Sequence, residues 1–71
     1  MYRTSVNSSN LRSVGYDSTH FILEIEFING GLYQYSGVPK HHYNALMQAA
    51  SHGEYFDTYI KHGPYPYIKL R

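Results

Sequence analysis

Histidine has the widest chemical range of the side chains in this sequence, since imidazole binds metals and transfers protons near neutral pH. The five histidines stand at positions 20, 41, 42, 52 and 62. His41 and His42 are adjacent, so on a helix their side chains point about 100° apart and cannot chelate one ion together. The chain contains no cysteine, and no carboxylate completes a ligand set with the other histidines. We therefore expect no metal site and no cofactor, and interpret the histidines as solvated surface residues.

Nucleophilic or acid–base catalysis has candidate groups in this sequence but no motif. The groups are Ser8, Ser9, Asp17, His20 and the glutamates Glu24 and Glu26. None of them lies in a pattern whose spacing predicts that the side chains converge. We predict no catalytic residue, and a small metal-independent ribonuclease is the least favoured of the three functions considered below.

Tyrosine could serve either recognition or packing. Nine Tyr and three Phe make 17% of the 71 residues aromatic, and there is no Trp. Binding of single-stranded nucleic acid needs aromatic faces for the bases and cations for the phosphates, and the formal net charge of +1 permits a polyanionic partner without demanding one. A short chain without disulfides also needs large side chains for its core, and each aromatic ring buries on the order of 150–250 Å².

The length and the hydropathy pattern predict one domain over residues 1–71 and no membrane partner. The longest apolar segment, Phe21 to Ile28, is interrupted by Glu24 and Glu26 and is far shorter than the ~18 residues of a membrane span. The first residues lack the apolar run of a signal peptide. We expect a cytoplasmic location.

The first half of the chain predicts a small antiparallel sheet. Residues 1–10 are polar, with a turn or loop indicated at residues 7–10, whereas residues 11–16 indicate a short strand in which Gly15 marks a bulge or a close backbone approach. Alternation then places Phe21, Leu23, Ile25 and Phe27 on one face of a second strand. The Asn-Gly-Gly that follows favours a hairpin over about residues 20–36.

The register of this hairpin decides which face Tyr33 and Tyr35 occupy. A two-residue turn at Asn29-Gly30 pairs Tyr33 with Glu26 and places both tyrosines on the acidic, outward face. A three-residue loop at positions 29–31 pairs Tyr33 with Phe27 and makes both tyrosines part of the core. We favour the second register because it buries the larger apolar surface.

The second half of the chain predicts two short helices. Pro39 is suited to the first helical position, and helical spacing of apolar residues extends the first helix over about 39–51, ended by Gly53. The second covers about 54–62 and is closed by Gly63-Pro64. The proline-containing tail after it is extended, as an edge strand or a docked arm. The fold class is therefore α+β, with both helices packed on one face of the sheet.

Several short motifs of the chain resemble one known family. In chain order they are Val14-Gly15-Tyr16-Asp17, Asn29-Gly30-Gly31, Tyr33-Gln34-Tyr35, Gly37-Val38-Pro39, Ser51-His52-Gly53-Glu54-Tyr55-Phe56, Ile60-Lys61 and Tyr65-Pro66-Tyr67. From about Ser5 to Leu70 the chain resembles the KTSC domain, named for its place at the C-terminus of some lysyl-tRNA synthetases and also found as free-standing bacterial proteins. The central Tyr-x-Tyr is the hallmark of that family.

The resemblance implies both structural positions and a ligand. It marks Tyr33, Tyr35, Pro39, Gly53 and Phe56, which we interpret as structural because each already has a role in the predicted turns, helices or core. The family has no established function, and its attachment to a tRNA synthetase implies RNA as the expected ligand. Gln34 and Glu54 stand where the family pattern is often basic, which weakens contacts to an RNA backbone at those two places.

We thus predict a small non-catalytic binding module with RNA as its most favoured partner. The residues expected to bind RNA are Tyr55, Lys61, Tyr65, Tyr67, Lys69 and Arg71. The alternative is a protein-interaction or dimerisation module, whose partner is a second copy or another protein held at an exposed sheet edge or aromatic patch.

Overall fold

Five antiparallel strands form one sheet in chain order, and the helices lie against one of its faces. The computed structural model describes all 71 residues. The elements are β1 (Arg3–Ser5), β2 (Leu11–Asp17), β3 (Ile22–Phe27), β4 (Leu32–Ser36), α1 (Lys40–Gln48), α2 (His52–Tyr55), a π-helical segment (Phe56–Lys61) and β5 (Tyr67–Lys69). The predicted α+β class is confirmed. Neither helix has the length and apolar composition that crossing a bilayer requires.

Strand β1 was not expected, since no strand or helix was predicted before the loop at residues 7–10. It pairs with β2, with Arg3 opposite Gly15 and Ser5 opposite Ser13. Nothing in its local sequence alternates, and it is placed by a side-chain contact described below. The loop prediction holds for the segment after it, where the Ser8 hydroxyl accepts the backbone N–H groups of Asn10 and Leu11.

Strand β2 contains both a bulge and a close backbone approach, at different residues. The register shifts between Leu11 and Ser13, which lets Leu11 and Val14 both face the core with no exposed surface. At Gly15 a Cβ atom would lie 2.7 Å from the carbonyl oxygen of Tyr2. Only glycine allows the N-terminal residues to cross β2 this closely.

The hairpin places Tyr33 and Tyr35 on the core face, as the favoured register predicted. The pairing of the two strands, however, is displaced by two residues from that register. Tyr33 lies opposite Ile25 rather than Phe27, and Tyr35 opposite Leu23. The three-residue loop covers positions 28–30, because the Phe27 N–H donates to the Gly31 carbonyl at 2.8 Å. A left-handed residue must close such a loop, and Gly30, with φ of 96°, takes that place.

Phe21 does not join the core, contrary to the alternation pattern. It lies just before β3 with φ of 57° and a side chain that is 52% exposed. The preceding turn is held by Asp17, whose Oδ1 accepts the N–H groups of Thr19 and His20. The chain leaves this turn at Phe21, so the extended strand starts one residue later than the pattern predicted.

Both helices have bounds that differ from those predicted. Pro39 precedes α1 with an extended ψ of 153°, and α1 ends at Gln48 because Ala49 is again extended. The next helix begins at His52, where the Ser51 hydroxyl accepts the N–H of Glu54 at 3.2 Å. Gly53 therefore lies inside α2 and does not end α1; a Cβ atom there would collide with Oδ1 of Asn10.

The core lies between the sheet and the helices. Its nine buried residues are Leu11, Val14, Leu23, Ile25, Tyr35, Val38, Leu46, Phe56 and Ile60. At its border Tyr16 stacks on Tyr43 with ring centroids 5.3 Å apart, and its hydroxyl donates to the Val38 carbonyl at 2.6 Å. Of the two alternatives for the tail, an edge strand or a docked arm, the structure has the edge strand, with β5 antiparallel to β4.

The opposite, helix-free face carries a chain of charged and polar side chains across the sheet. Its contacts are Arg3 to Glu24 (2.5 Å) and Ser13 (2.9 Å), Ser13 to Glu26 (2.8 Å), Gln34 to Glu24 (2.8 Å), and Arg71 to Glu26 (2.9 Å). Glu24 is only 4% exposed. Burial alone would raise the pKa of Glu24, but hydrogen bonds from Gln34 and Arg3 and the charge of Arg3 outweigh it and hold the pKa below its ordinary value.

Replacing the buried carboxylate of Glu24 tests how much these hydrogen bonds and the charge of Arg3 contribute to stability. We expect Glu24→Gln to lower the free energy of unfolding at pH 7 by about 1.5–3 kcal/mol, the range for hydrogen bonds to charged groups. Because the folded-state pKa is the lower one, the contribution is full above about pH 4.3 and is lost as pH falls through the folded pKa. Urea unfolding at several pH values should show the gap to wild type closing in acid. An equal gap at every pH, or an equal loss in the exposed control Glu54→Gln, would contradict the assignment.

The face on which the hallmark tyrosines lie gives a second stability prediction. Tyr35 is 5% exposed, so Tyr35→Ala should cost about 3–5 kcal/mol, as measured for buried aromatic residues. The matched control is Tyr2→Ala, because the Tyr2 side chain is 88% exposed and a surface change of this kind costs about 0.5 kcal/mol or less. Thermal or urea denaturation measures both. Similar losses in the two variants would contradict the register.

Candidate functional site

A cleft of about 300 Å³ opens where the aromatic end of the core meets β5 and the π-helical segment. Five aromatic side chains line it: Phe27, Tyr33, Tyr35, Phe56 and Tyr67. Four polar side chains complete the lining: Asn10, Asn29, Asp57 and Lys61. Apolar walls with a few convergent polar groups are the usual composition of a ligand-binding pocket.

The rings of the cleft are held by one another. Tyr33 and Tyr35 project from the same side of β4 with centroids 6.4 Å apart, and Tyr67 of β5 lies 5.7 and 5.4 Å from them. Phe56 meets Tyr35 edge to face at 5.4 Å. Tyr67 remains 60% exposed at the mouth, so its ring can still accept a ligand.

The hydroxyl of Tyr35 stays protonated in this setting. Burial, followed by the neighbouring hydroxyls of Tyr33 and Tyr67, raises the pKa of Tyr35 to about 12. The inner wall of the cleft is therefore uncharged at neutral pH, and the only formal charges that line it are those of Asp57 and Lys61.

The π-helical segment explains how those two charges reach the cleft. It winds six residues with a wider turn than an α-helix, a form that is uncommon in runs of this length. Phe56 and Ile60 point into the core, while Asp57 and Lys61 line the cleft with Oδ1 and Nζ 3.7 Å apart. Both side chains are more than half exposed, so this ion pair is worth well under about 1 kcal/mol and opens easily.

A shallow hollow adjoins the cleft and shares Asn29 and Tyr33 with it. Lys69 lines the hollow, with Nζ 5.9 Å from the centre of the Tyr33 ring. Arg71 lines it as well, but its guanidinium already donates to the Gly30 carbonyl at 3.1 Å and to Glu26 at 2.9 Å. Lys69 is the more available cation.

Four of the six residues expected to bind RNA therefore lie along one continuous surface. Lys61 and Tyr67 line the cleft, and Lys69 and Arg71 line the hollow. Tyr55 and Tyr65 do not lie there.

Tyr55 and Tyr65 belong to a second aromatic cluster, around His42 on α1. The Tyr55 hydroxyl lies 2.9 Å from Nδ1 of His42, and the rings of Tyr55, Tyr59 and Tyr65 lie 5.9, 6.1 and 5.9 Å from the imidazole. Burial and the nearby charge of His41 lower the pKa of His42, while burial, then Tyr59 and Tyr65, raises the pKa of Tyr55. Both shifts favour the uncharged forms of His42 and Tyr55.

The cluster corrects one interpretation of the sequence. His42 is half-buried between helices and not a solvated residue. Tyr59, in contrast, is 51% exposed, because the neighbouring Ile60 takes the inward position. No group of three or more His, Cys, Asp or Glu side chains is placed to hold a metal ion.

Sequence reasoning missed three polar residues of the cleft. Asp57 had a signal, because it stands four residues before Lys61 on a predicted helix. Nothing in the sequence indicated that Asn10 and Asn29 would face a ligand, because both are typical turn residues. Asn29 does hold its turn, with Oδ1 accepting the N–H of Gly31 at 2.9 Å.

The hallmark positions divide between the cleft and the backbone around it. Tyr33, Tyr35 and Phe56 line the cleft, whereas Pro39 immediately precedes α1 and Gly53 leaves room for the side chain of Asn10. The family model of the KTSC domain matches residues 7–65. The chain belongs to the KTSC domain family.

Similar proteins support the same assignment. The crystal structure of a KTSC domain protein from Yersinia pestis superposes with a TM-score of 0.93 at 41% identity and covers 99% of this chain and 97% of that one. An uncharacterized protein of Stutzerimonas stutzeri is 43% identical over 70 residues, 99% of each chain. A protein of Tsukamurella paurometabola is 34% identical over 56 residues, 79% of this KTSC domain and 84% of the relative. None of these names states an activity or a ligand.

Proposed function

We propose that this KTSC domain is a non-catalytic module that binds single-stranded RNA at the cleft and the adjoining hollow. The observation that carries the proposal is the exposed ring of Tyr67 at the mouth of an aromatic cleft, with Lys61 on the helical segment and Lys69 on the strand. An aromatic face for a base beside cations for phosphates is the general arrangement of single-strand binding. An RNA ligand also agrees with the cytoplasmic location expected from the sequence.

The energetics favour a modest affinity. Stacking of one base on a tyrosine is worth about 1–3 kcal/mol, and Tyr67 is the one cleft ring that combines high exposure with rigid neighbours. Few cations are available for phosphates, since Arg3 and Arg71 are held by Glu24 and Glu26. Of the cations that line the cleft and the hollow, Lys61 and Lys69 remain, so the module would hold a short segment of one to a few nucleotides.

Titration of short single-stranded RNA at several salt concentrations tests the proposal. Two phosphate contacts on a single strand predict that log K falls with log [salt] with a slope of about −1.4. Lys61→Gln and Lys69→Gln should each reduce the slope by about 0.7, and Tyr67→Ala should weaken binding by about 1–3 kcal/mol. Fluorescence anisotropy of labelled RNA, with NMR shifts to locate the contacts, measures each effect.

The chain offers matched controls for these variants. Lys40→Gln removes an exposed lysine at the start of α1, outside the cleft and the hollow, and should leave the slope unchanged. Tyr2→Ala removes an exposed tyrosine that contacts neither. RNA binding that is absent at low salt, or that the controls weaken as much as the test variants, would refute the function.

Self-association is the second candidate, and the exposed edge of β5 favours it. All three residues of β5 are exposed, and Ile68 and Leu70 present 57% and 49% of their side chains to solvent. Alternate residues of an edge strand direct their N–H and C=O groups away from the sheet, so a second copy could pair there.

Sedimentation equilibrium separates this candidate from RNA binding. Dimerisation through β5 predicts a monomer–dimer equilibrium that persists at high salt, because apolar contacts are not screened, and that Ile68→Lys abolishes. The matched control Tyr2→Lys should leave it intact. A monomer at all concentrations and salts would exclude this candidate without affecting the RNA proposal.

A further inference from the structure

We propose that the cleft selects guanine among the four bases of RNA, with Asp57 as the residue that determines the preference. This inference rests on the proposed RNA-binding function and adds to it the identity of the base. It is argued from the size of the cleft, the hydrogen-bonding state of its polar groups, and the donor and acceptor patterns of the bases.

The cleft suits one flat, uncharged ring system. Its volume is about 300 Å³, and its inner wall consists of aromatic rings. A cationic ligand is disfavoured, because Lys61 lines the cleft and Lys69 already lies over the Tyr33 ring. A base that enters beside Tyr67 can stack, leaving its hydrogen-bonding edge to the polar groups of the rim.

Asp57 is the one carboxylate in the cleft and has unused hydrogen-bonding capacity. Asp17, Glu24 and Glu26 all accept hydrogen bonds within the chain. Nζ of Lys61 and Nε2 of His62 lie 3.7 Å from Oδ1 and Oδ2 of Asp57, too far for hydrogen bonds. A ligand donor can therefore take this position at the small cost of a loose surface ion pair.

Guanine matches a carboxylate better than any other base does. Its Watson–Crick edge presents two adjacent donors, N1–H and the N2 amino group, which fit the two oxygens of one carboxylate as a bidentate pair. Adenine and cytosine place a ring-nitrogen acceptor beside their amino group, where it repels the carboxylate. Uracil offers a single N3–H between two carbonyl acceptors.

The amide of Asn29 complements the other side of the same base. Its Oδ1 accepts the N–H of Gly31, so the oxygen is occupied and the amide NH₂ makes no hydrogen bond within the chain. An NH₂ group supplies donors, and guanine carries the acceptors O6 and N7. The rim of the cleft thus offers an acceptor pair at Asp57 and donors at Asn29, the complement of guanine.

Binding of pentanucleotides that differ only at the centre tests the inference. The oligomers are UUGUU, UUAUU, UUUUU and an inosine-centred form, which keeps N1–H but lacks the N2 amino group. A bidentate contact is worth about 1–3 kcal/mol, and Asp57 is 55% exposed, so we expect the low end of that range: roughly five- to tenfold tighter binding of UUGUU than of UUAUU or UUUUU, with inosine between them.

Variants assign the preference to its residue. Asp57→Asn should remove the advantage of UUGUU while binding of UUUUU stays within about twofold or tightens, since a negative charge is lost near the phosphates. Glu54→Gln removes the same charge from an exposed helical residue outside the cleft and should keep the advantage. Lys61→Gln should weaken all oligomers and keep their ratio.

The outcomes distinguish this inference from the function on which it rests. Equal binding of the four oligomers, or a guanine preference that survives in Asp57→Asn, overturns the guanine pocket and leaves RNA binding standing. Absence of binding by every oligomer overturns both. Circular dichroism of Asp57→Asn ensures that a lost preference is not a lost fold.

Discussion

The pairing of β3 with β4 is the constraint on which the rest of this structure depends. With Tyr35 opposite Leu23, the two hallmark tyrosines face the helices and form the aromatic wall of the cleft. The same pairing brings Gln34 beside Glu24 on the opposite face, where it joins the charged contacts across the sheet. A shift of one residue would bury Gln34 and expose both rings. The core, the cleft and the charged face therefore all depend on this one strand register.

The sequence predicted the fold class, the face of the hairpin and the extended tail, because each is encoded by local patterns. Alternation and an Asn-Gly turn act over a few residues. It failed where distant residues decide: Arg3 of β1 reaches Glu24 across β2, and position 53 inside α2 is glycine because the Asn10 side chain occupies the space that a Cβ atom would take. No local pattern carries either contact.

Only part of the candidate site could be predicted, because some of its residues come from distant parts of the chain. Lys61, Tyr67 and Lys69 were found from residue type and from their place near the end of the chain, and the structure brings them to one surface. Asn10 reaches the cleft from the loop before β2. It is far in sequence from the other cleft residues, so composition and spacing do not predict that it lies beside them. Tyr55 and Tyr65 were chosen because they are tyrosines, but packing around His42 already uses them.

The order of strands in the sheet has a consequence for the dynamics of the cleft. Strands β1 to β4 are joined by short connections, so their contacts are local in sequence. Both helices lie between β4 and β5, and β5 contributes only three exposed residues to the sheet. Elements with few buried contacts open at lower free energy than the core. Tyr67 and Lys69 stand on one of the two three-residue edge strands, so opening of β5 would widen the cleft and leave the pairing of β1 to β4 intact.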